Sequence, residues 1–270
     1  MLVDLLREGG AVVLSGAGLS TESGIPDYRG PSGQQRRGQP MTYQTFTGSE
    51  EARQRYWARS HLGWRHIAGA APNAGHQAVA ELEKRGHVSA VITQNVDGLH
   101  QAAGAEDVTE LHGSLHRVTC LSCWERTPRE RLHERLAAAN PGWDSADDIT
   151  VNPDGDVALE ETGGFTVVDC EACGGILKPD VVFFGENVPK PRAARCYELV
   201  DAARSLVVLG SSLAVMSGLR YVRHAAKRDI PVVIVNQGAT RGDELATARL
   251  NAPLGATLTA VAGEVTARAS

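Results

Sequence analysis

The chain has 270 residues, 42% of them hydrophobic, enough for one large α/β domain with a smaller module attached. No run reaches the apolar length of a membrane span, and the opening MLVDLLREGG lacks the basic flank and apolar core of a signal peptide. A net charge of −5 argues against nucleic acid as the main partner, and four of the five cysteines stand in C-x-x-C pairs, which points to metal in a reducing, cytoplasmic setting.

Ala11-Val12-Val13-Leu14 predicts a short buried parallel strand. It breaks into Ser15-Gly16-Ala17-Gly18, where glycines allow a tight turn and close approach of backbone to a ligand. A helix is expected just after, its free N–H groups and positive end facing the turn in a way that suits a diphosphate. The pattern departs from the usual dinucleotide fingerprint: Thr21 stands at the third glycine, and no acidic residue stands where a ribose needs one. Gly-Ala-Gly alone reads equally well as a plain turn. The continuation from Ser20 to Arg29, STESGIPDYR, is more specific than a turn requires.

Residues 31–48 are rich in Gly, Gln and Pro and read as a mobile loop, either a plain connection or a cover for a cofactor. Glu50 to Ala68 is helical in pattern and puts Tyr56 and Arg59 on one face. Asn73 caps a helix expected to run to about Arg85 and to close at Gly86. Val88 to Thr93 is the second strand, and it delivers Gln94-Asn95-Val96-Asp97 to the sheet edge where open α/β sheets bind ligands. Polar side chains bunched there fit a site better than core packing, although an Asn/Asp turn is the simpler reading. His112, before Gly113, is by itself either structural or catalytic.

Cys120-Leu-Ser-Cys123 and Cys170-Glu-Ala-Cys173 suit a closed, tetrahedral structural zinc, with a redox pair as the competing reading. Cys196 reads as ordinary core. Between the two pairs lies an acidic Gly/Pro-rich excursion at about 140–165, by default a solvated loop. Lys178 to Glu186 is apolar, β-branched and aromatic, hence a strand. Leu206–Leu209 ends in Gly210-Ser211-Ser212, and Val232–Val235 ends in Asn236-Gln237-Gly238, again at the binding edge. No internal repeat or coiled-coil pattern is present.

These motifs in this order, GAGLS…SGIPDYR, TQNVD, EL-His112-Gly113, the two C-x-x-C pairs, KPDVVFFGE and the GSS and NQG segments, resemble the sirtuins, the NAD-dependent protein deacylases. The only departure in the first motif is Tyr28 where the family has Phe. The resemblance implies an α/β fold, a Rossmann-like doubly wound parallel sheet from residues 1–30, 73–115 and 178–270. A smaller module would come from 31–72, holding the cofactor loop and helical insertion, and from 116–177, the zinc ribbon. NAD and acyl-lysine would meet in the cleft between them.

By the same resemblance, NAD is contacted by Gly16, Ala17, Gly18, Thr21, Ile25, Tyr28, Gln94, Gly210, Ser211, Ser212, Gln237 and Gly238. Asp27 would lie in the nicotinamide pocket, and Arg29 would steady the diphosphate. Asn95 and Asp97 would hold the ribose and the nicotinamide amide, Asn236 the other ribose, and Leu254 the adenine through its backbone. Val182 and Phe184 would flank the acyl-lysine stem, with Gly185 and Glu186 on the peptide backbone in a strand-addition mode. A buried core strand explains Val181 and Phe183 equally well.

Tyr56 and Arg59 resemble a pair that reads acidic acyl groups, against the plainer reading of a surface Arg beside a half-buried Tyr. The insertion resembles that of the mitochondrial class II sirtuins and would reach the acyl channel. Trimming residues 141–165 is then expected to change acyl preference without affecting zinc content or folding. His112 would act as general base on a ribose hydroxyl, giving lysine, nicotinamide and O-acyl-ADP-ribose. Cys120, Cys123, Cys170 and Cys173 would hold one structural zinc ion. The expected partners are acylated-lysine proteins, with the chain a monomer. Transfer of ADP-ribose to a protein and a non-catalytic NAD-binding module are the alternatives.

Overall fold

The computed structural model describes residues 1–28, 41–143 and 162–267, with positions 152, 154, 155, 157 and 159. In chain order the elements begin with α1 (Leu2–Arg7) and β1 (Ala11–Ser15). Then follow α2 (Tyr43–Gly48), α3 (Glu50–Gly69), α4 (Ala74–Lys84), β2 (Val88–Thr93), α5 (Leu99–Ala102) and β3 (Val108–Glu110). β4 (Gly113–Cys120), β5 (Arg126–Pro128), α6 (Arg129–Ala139) and β6 (Leu177–Val181) come next. The chain closes with α7 (Lys190–Ala202), β7 (Ser205–Leu209), α8 (Met216–Lys227), β8 (Val232–Val235), β9 (Ala248–Leu250) and α9 (Leu254–Thr266).

Six of the strands form one sheet in the order β3-β2-β1-β7-β8-β9, parallel throughout. Counted along the chain this is 3-2-1-4-5-6, the doubly wound Rossmann order, which reverses direction between β1 and β7. Side chains alternate along each strand, so Ala11 and Val13 face one layer while Val12 and Leu14 face the other. The first layer packs on α1, α4 and α9 through Leu6, Val79, Leu82 and Leu258. The second packs on α7 and α8 through Leu199, Val200, Leu219 and Val222. Burial on both faces is why β1, β7 and β8 read as apolar runs.

A third core is separate. Phe46, Trp57, Trp64, Ile67, Leu132, Leu136 and Phe165 pack with residues of the small antiparallel sheet β5-β4-β6. Local signals place the helices. Asn73 Oδ1 accepts from the N–H groups of Gly75 (2.9 Å) and His76 (3.3 Å) at the start of α4, and Gly86, at φ +77°, ends it. Ser49 caps α3 by accepting from Ala52 N–H at 3.1 Å. Among the described residues, no helix is long and apolar enough to cross a membrane.

Three expectations need correction. The loop expected over 31–48 holds a helix, α2, which Thr42 caps and Phe46 anchors in the core. No α-helix follows Gly18; two single 3₁₀ turns, Ala17–Leu19 and Thr21–Ser23, take its place. Gly24, at φ +82°, stops the second, and Glu22 reaches away to cap α9 by accepting from Gly255 N–H at 2.9 Å. The strand expected over Lys178–Glu186 ends at Val181. Beyond it the chain turns on Gly185, at φ +77°, and Phe184 forms an isolated bridge with Thr42.

Candidate active site

The sheet's switch point is held by glycine-to-glycine contact. Gly16 N–H donates to the Leu209 carbonyl (2.9 Å) and Gly18 N–H to that of Gly210 (2.8 Å). A Cβ on Gly18 would lie 2.9 Å from the Gly210 oxygen, and one on Gly210, at φ +61°, only 2.5 Å from Leu19 N. Both distances are too short for a side chain, so these glycines let the loops after β1 and β7 touch. Two N–H groups of the turn are thus paired within the protein, and the anion site of an α-helix N-terminus, expected after Gly18, is not what this turn offers.

A buried polar cluster sits at the ends of β1 and β2. Asn95 Nδ2 donates to the Gly16 carbonyl (3.1 Å) and to Ser20 Oγ (3.0 Å), and the Ser20 hydroxyl donates to Asp97 Oδ2 at 2.6 Å. The other oxygen of Asp97, a residue only 5% exposed, accepts from Leu99 N–H at 3.0 Å. Gln94 Nε2 donates to Ser211 Oγ (2.9 Å) and to the Ser15 carbonyl (3.2 Å). The structure therefore brings together Gly16, Gly18, Gln94, Asn95, Asp97, Gly210 and Ser211. It adds Ser20, a fully buried hydroxyl whose signal was its place between the glycines and the SGIPDYR run.

His112 follows β3 and its ring is fixed at both nitrogens. Nδ1 lies 2.9 Å from the Gln94 carbonyl, and Nε2 lies 2.7 Å from Ser217 Oγ. A carbonyl can only accept, so Nδ1 carries the proton and the neutral ring keeps its lone pair on Nε2. Burial pushes the pKa below the usual histidine value; the Gln94 hydrogen bond opposes this, and the Arg192 and Arg220 charges add to it. The ring is a neutral base at neutral pH. The backbone carbonyl of His112 also accepts from Val182 N–H at 2.8 Å, which ties His112 to the segment after β6. Ser217 was missed because a serine in a helix's first turn carries no signal of a partner 105 positions away.

Other expected contacts divide. Ser212, Asn236, Gln237 and Gly238 lie just beyond the ends of β7 and β8, and Asn236 Nδ2 donates to the carbonyls of Gln237 (3.0 Å) and Gly238 (3.1 Å). Thr21 Oγ1 donates to the Gly18 carbonyl at 2.9 Å, and Ala17 is half-buried in the same turn. Leu254 is buried at the head of α9, and its side chain belongs to the core. Ile25 is buried in the small module's core. Asp27 is half-buried, and the exposed Tyr28 ring meets Phe184 edge-on at 6.5 Å. Arg29 lies outside the described residues.

On the segment after β6, Val181 and Phe183 are buried, Val182 is half-buried and Phe184 is 41% exposed. Alternation thus turns Val182 and Phe184 outward, with Gly185 exposed beside them. Glu186 points the other way: its Oε2 accepts from Phe183 N–H (2.8 Å) and lies 3.1 Å from Lys178 Nζ. Its carboxylate is committed inside the turn, leaving only its backbone for a peptide.

Tyr56 is 3% exposed and stacks edge-on with Phe46, Trp57 and Phe183 behind this segment. Arg59 Nε and Nη2 both donate to the Leu159 carbonyl, at 3.0 and 2.7 Å. The plainer expectation, a surface Arg beside a half-buried Tyr, is off in degree: Tyr56 is fully core, and Arg59 is half-buried with its guanidinium on a backbone carbonyl. Within the insertion, residues 144–151, 153, 156, 158, 160 and 161 lie outside the described residues. Val157 (1% exposed) and Phe165 (2%) are core residues, and a Cβ on Gly63 of α3 would sit 2.0 Å from the Gly155 oxygen. Removing 141–165 whole would therefore open the small module's core, contrary to the expectation that folding survives it.

The sulfurs of Cys120, Cys123, Cys170 and Cys173 all lie within 4.8 Å of one another. Cys120 and Cys173 are 3.5 Å apart and Cys123 and Cys170 3.8 Å, too far for disulfides. Zn–S bonds of about 2.3 Å in a tetrahedron require S···S edges of about 3.8 Å, so the set fits one structural zinc.

Fold and site together define a doubly wound α/β protein with a buried polar cluster at its switch point, a neutral histidine anchored at both nitrogens and a four-cysteine module. Residues 16–217 match the Sir2 family, and the chain belongs to that family. It is 62% identical over 263 residues to NAD-dependent protein deacetylase 1 of Streptomyces coelicolor, covering 97% of this chain and 88% of the relative. With NAD-dependent protein deacetylase 1 of Mycobacterium avium it shares 51% over 268 residues, at 98% and 94% coverage. A solved complex of Sir2 with a p53 peptide and NAD+ superposes with a TM-score of 0.76, at 32% identity over 97% of this chain and 96% of that one. A Sir2 enzyme bound to a propionylated peptide superposes with a TM-score of 0.73, at 30% identity and coverages of 97% and 96%.

Proposed function

We infer that the chain is an NAD-dependent protein-lysine deacylase, acting first as a deacetylase, that releases lysine, nicotinamide and O-acyl-ADP-ribose. The observation that carries this is the His112 ring, held neutral with its lone pair on Nε2 beside the Asn95–Ser20–Asp97 cluster. A pure binding module needs no such base. The names of the relatives, NAD-dependent protein deacetylases, support the reading.

NAD is a co-substrate here, and it supplies an activated ribose carbon from which nicotinamide leaves. Asn95 and Asp97 hold its ribose and amide, with Asp27, Tyr28 and Arg29 on the nicotinamide and diphosphate side. Gly210, Ser211, Ser212, Asn236, Gln237 and Gly238 serve the adenosine half. His112 Nε2 takes the proton of a ribose hydroxyl, and burial keeps the ring unprotonated so that it can. Val182 and Phe184 flank the lysine stem, and the backbone of Gly185 and Glu186 meets the peptide. The Rossmann-like domain takes residues 1–30, 73–115 and 178–270, and the small module takes the remainder. Cys120, Cys123, Cys170 and Cys173 hold zinc, which stabilises the module and stays out of the chemistry.

With Tyr56 in the aromatic core and Arg59 on Leu159, acetyl and other small neutral acyl groups are the favoured substrates. We read the protein as a cytoplasmic monomer acting on acylated proteins, in keeping with its unpaired thiols. His112→Ala is expected to abolish acyl removal while NAD affinity, measured by calorimetry, stays within a few-fold. Normal deacylation by that variant would contradict the mechanism.

A further inference from the structure

Neither nitrogen of the His112 ring is free in the resting protein, and the second anchor comes from α8, 105 positions on. We propose that Ser217 is a positioning residue for the reaction, its hydroxyl holding Nε2 of His112 so that the base keeps one orientation until a ribose hydroxyl arrives. This rests on reading His112 as the base.

The direction of the bond follows from the first anchor. Gln94 offers a carbonyl, so Nδ1 carries the ring's proton and Nε2 its lone pair; at 2.7 Å the Ser217 hydroxyl must donate. Ser217 is the second residue of α8, whose N-cap, Val215, makes no side-chain cap. A serine in a helix's first turn ordinarily bonds back to the local backbone. Here the hydroxyl is spent on His112.

The helix start also packs closely on the same glutamine. A Cβ on Gly218 would meet Gln94 Oε1 at 2.5 Å, and Arg220 Nε donates to the Ser217 carbonyl at 3.3 Å. Gln94 and α8 therefore form a frame that grips the imidazole from two sides. With Gln94 alone, the ring could swing about a single hydrogen bond, and a misplacement of about 1 Å at a reacting atom can cost about a hundredfold in rate. A hydroxyl suits the place because it donates to the neutral ring and, after rotating, accepts from the imidazolium.

The test uses Ser217→Ala, Ser217→Thr and His112→Ala in the full chain. Nitrogen NMR of the ligand-free protein reads the bond directly: in Ser217→Ala the unprotonated Nε2 resonance should move to higher frequency while Nδ1 stays. With NAD and an acetyl-lysine peptide, Ser217→Ala should lose about tenfold in kcat for deacetylation. Exchange of labelled nicotinamide into NAD, which needs no base, and both KM values should stay at wild-type levels. Ser217→Thr should restore the rate. A merely structural serine would lower exchange and deacetylation together. An unmoved Nε2 resonance with a wild-type ratio of deacetylation to exchange, while His112→Ala is inactive, would overturn the proposal. Normal deacetylation by His112→Ala would instead overturn the reading of the base, and this proposal with it.

Discussion

Lys178 Nζ, on a side chain 3% exposed, lies 3.1 Å from Glu186 Oε2 across the turn that follows β6. The ammonium also donates to the carbonyls of Val181 and Pro179 and sits 4.7 Å from the centre of the Phe183 ring. The carboxylate in turn takes Phe183 N–H. One ion pair thus sets the shape of residues 181–186, the segment that turns Val182 and Phe184 outward. Breaking a buried pair leaves a charge without compensation. Lys178→Met is expected to cost about 3 kcal/mol in urea unfolding. KM for the peptide should rise about tenfold, with KM for NAD unchanged. An unchanged peptide KM would mean that the turn does not present the substrate.

Gly210 and Gly18 meet at backbone distance, and this contact closes the switch point. Gly210→Ala puts a Cβ 2.5 Å from Leu19 N at φ +61°. Overpacking and the left-handed backbone together should cost about 3 kcal/mol. NAD affinity should fall with it, since the loops after β1 and β7 would part. Gly104→Ala is the control: φ is +96° but nothing lies within 4 Å of the added carbon. It should cost about 1–2 kcal/mol and leave NAD binding alone. Equal effects of the two variants on calorimetric NAD affinity would refute the closure.

His100 is buried beneath the site, its Nε2 2.8 Å from Ser15 Oγ. Burial first, and then the neighbouring His76, lower its pKa from 6.5 to about 3. The sign follows from proton binding: below about pH 6.5 the unfolded chain takes up a proton that the native state refuses. Stability is therefore complete above that value and lost as pH falls toward 3. Between about pH 7 and pH 5 the loss should be about 2 kcal/mol from this residue. His76, also lowered by burial, adds in the same direction. Denaturant unfolding across this range should show a shallower slope in His100→Gln. The same slope in both proteins would place the sensitivity elsewhere.

Much of this was legible in the sequence, for physical reasons. Val88–Thr93 is a strand over the expected span because, Ser89 apart, it is buried on both faces. Asn73 and Gly86 bound α4 as read, since a cap and a left-handed stop are local devices. Four cysteines at knuckle spacing announced their cluster. What was not legible depends on distant partners. The turn after Gly18 stops at Gly24, and Glu22 is spent on capping α9, 233 residues on. Glu186 faces inward because Lys178 is there to meet it. Tyr56 is core because Phe46 and Phe183 enclose it. Ser217 became visible only once α8 was seen beside His112.

The most direct measurement is mass spectrometry of the purified protein with NAD and an acetyl-lysine peptide. Equal amounts of free-lysine peptide, nicotinamide and O-acetyl-ADP-ribose are expected, with the free-lysine peptide and the O-acetyl-ADP-ribose lost in His112→Ala. Nicotinamide release with ADP-ribose attached to protein, and no deacetylated peptide, would contradict the deacylase reading.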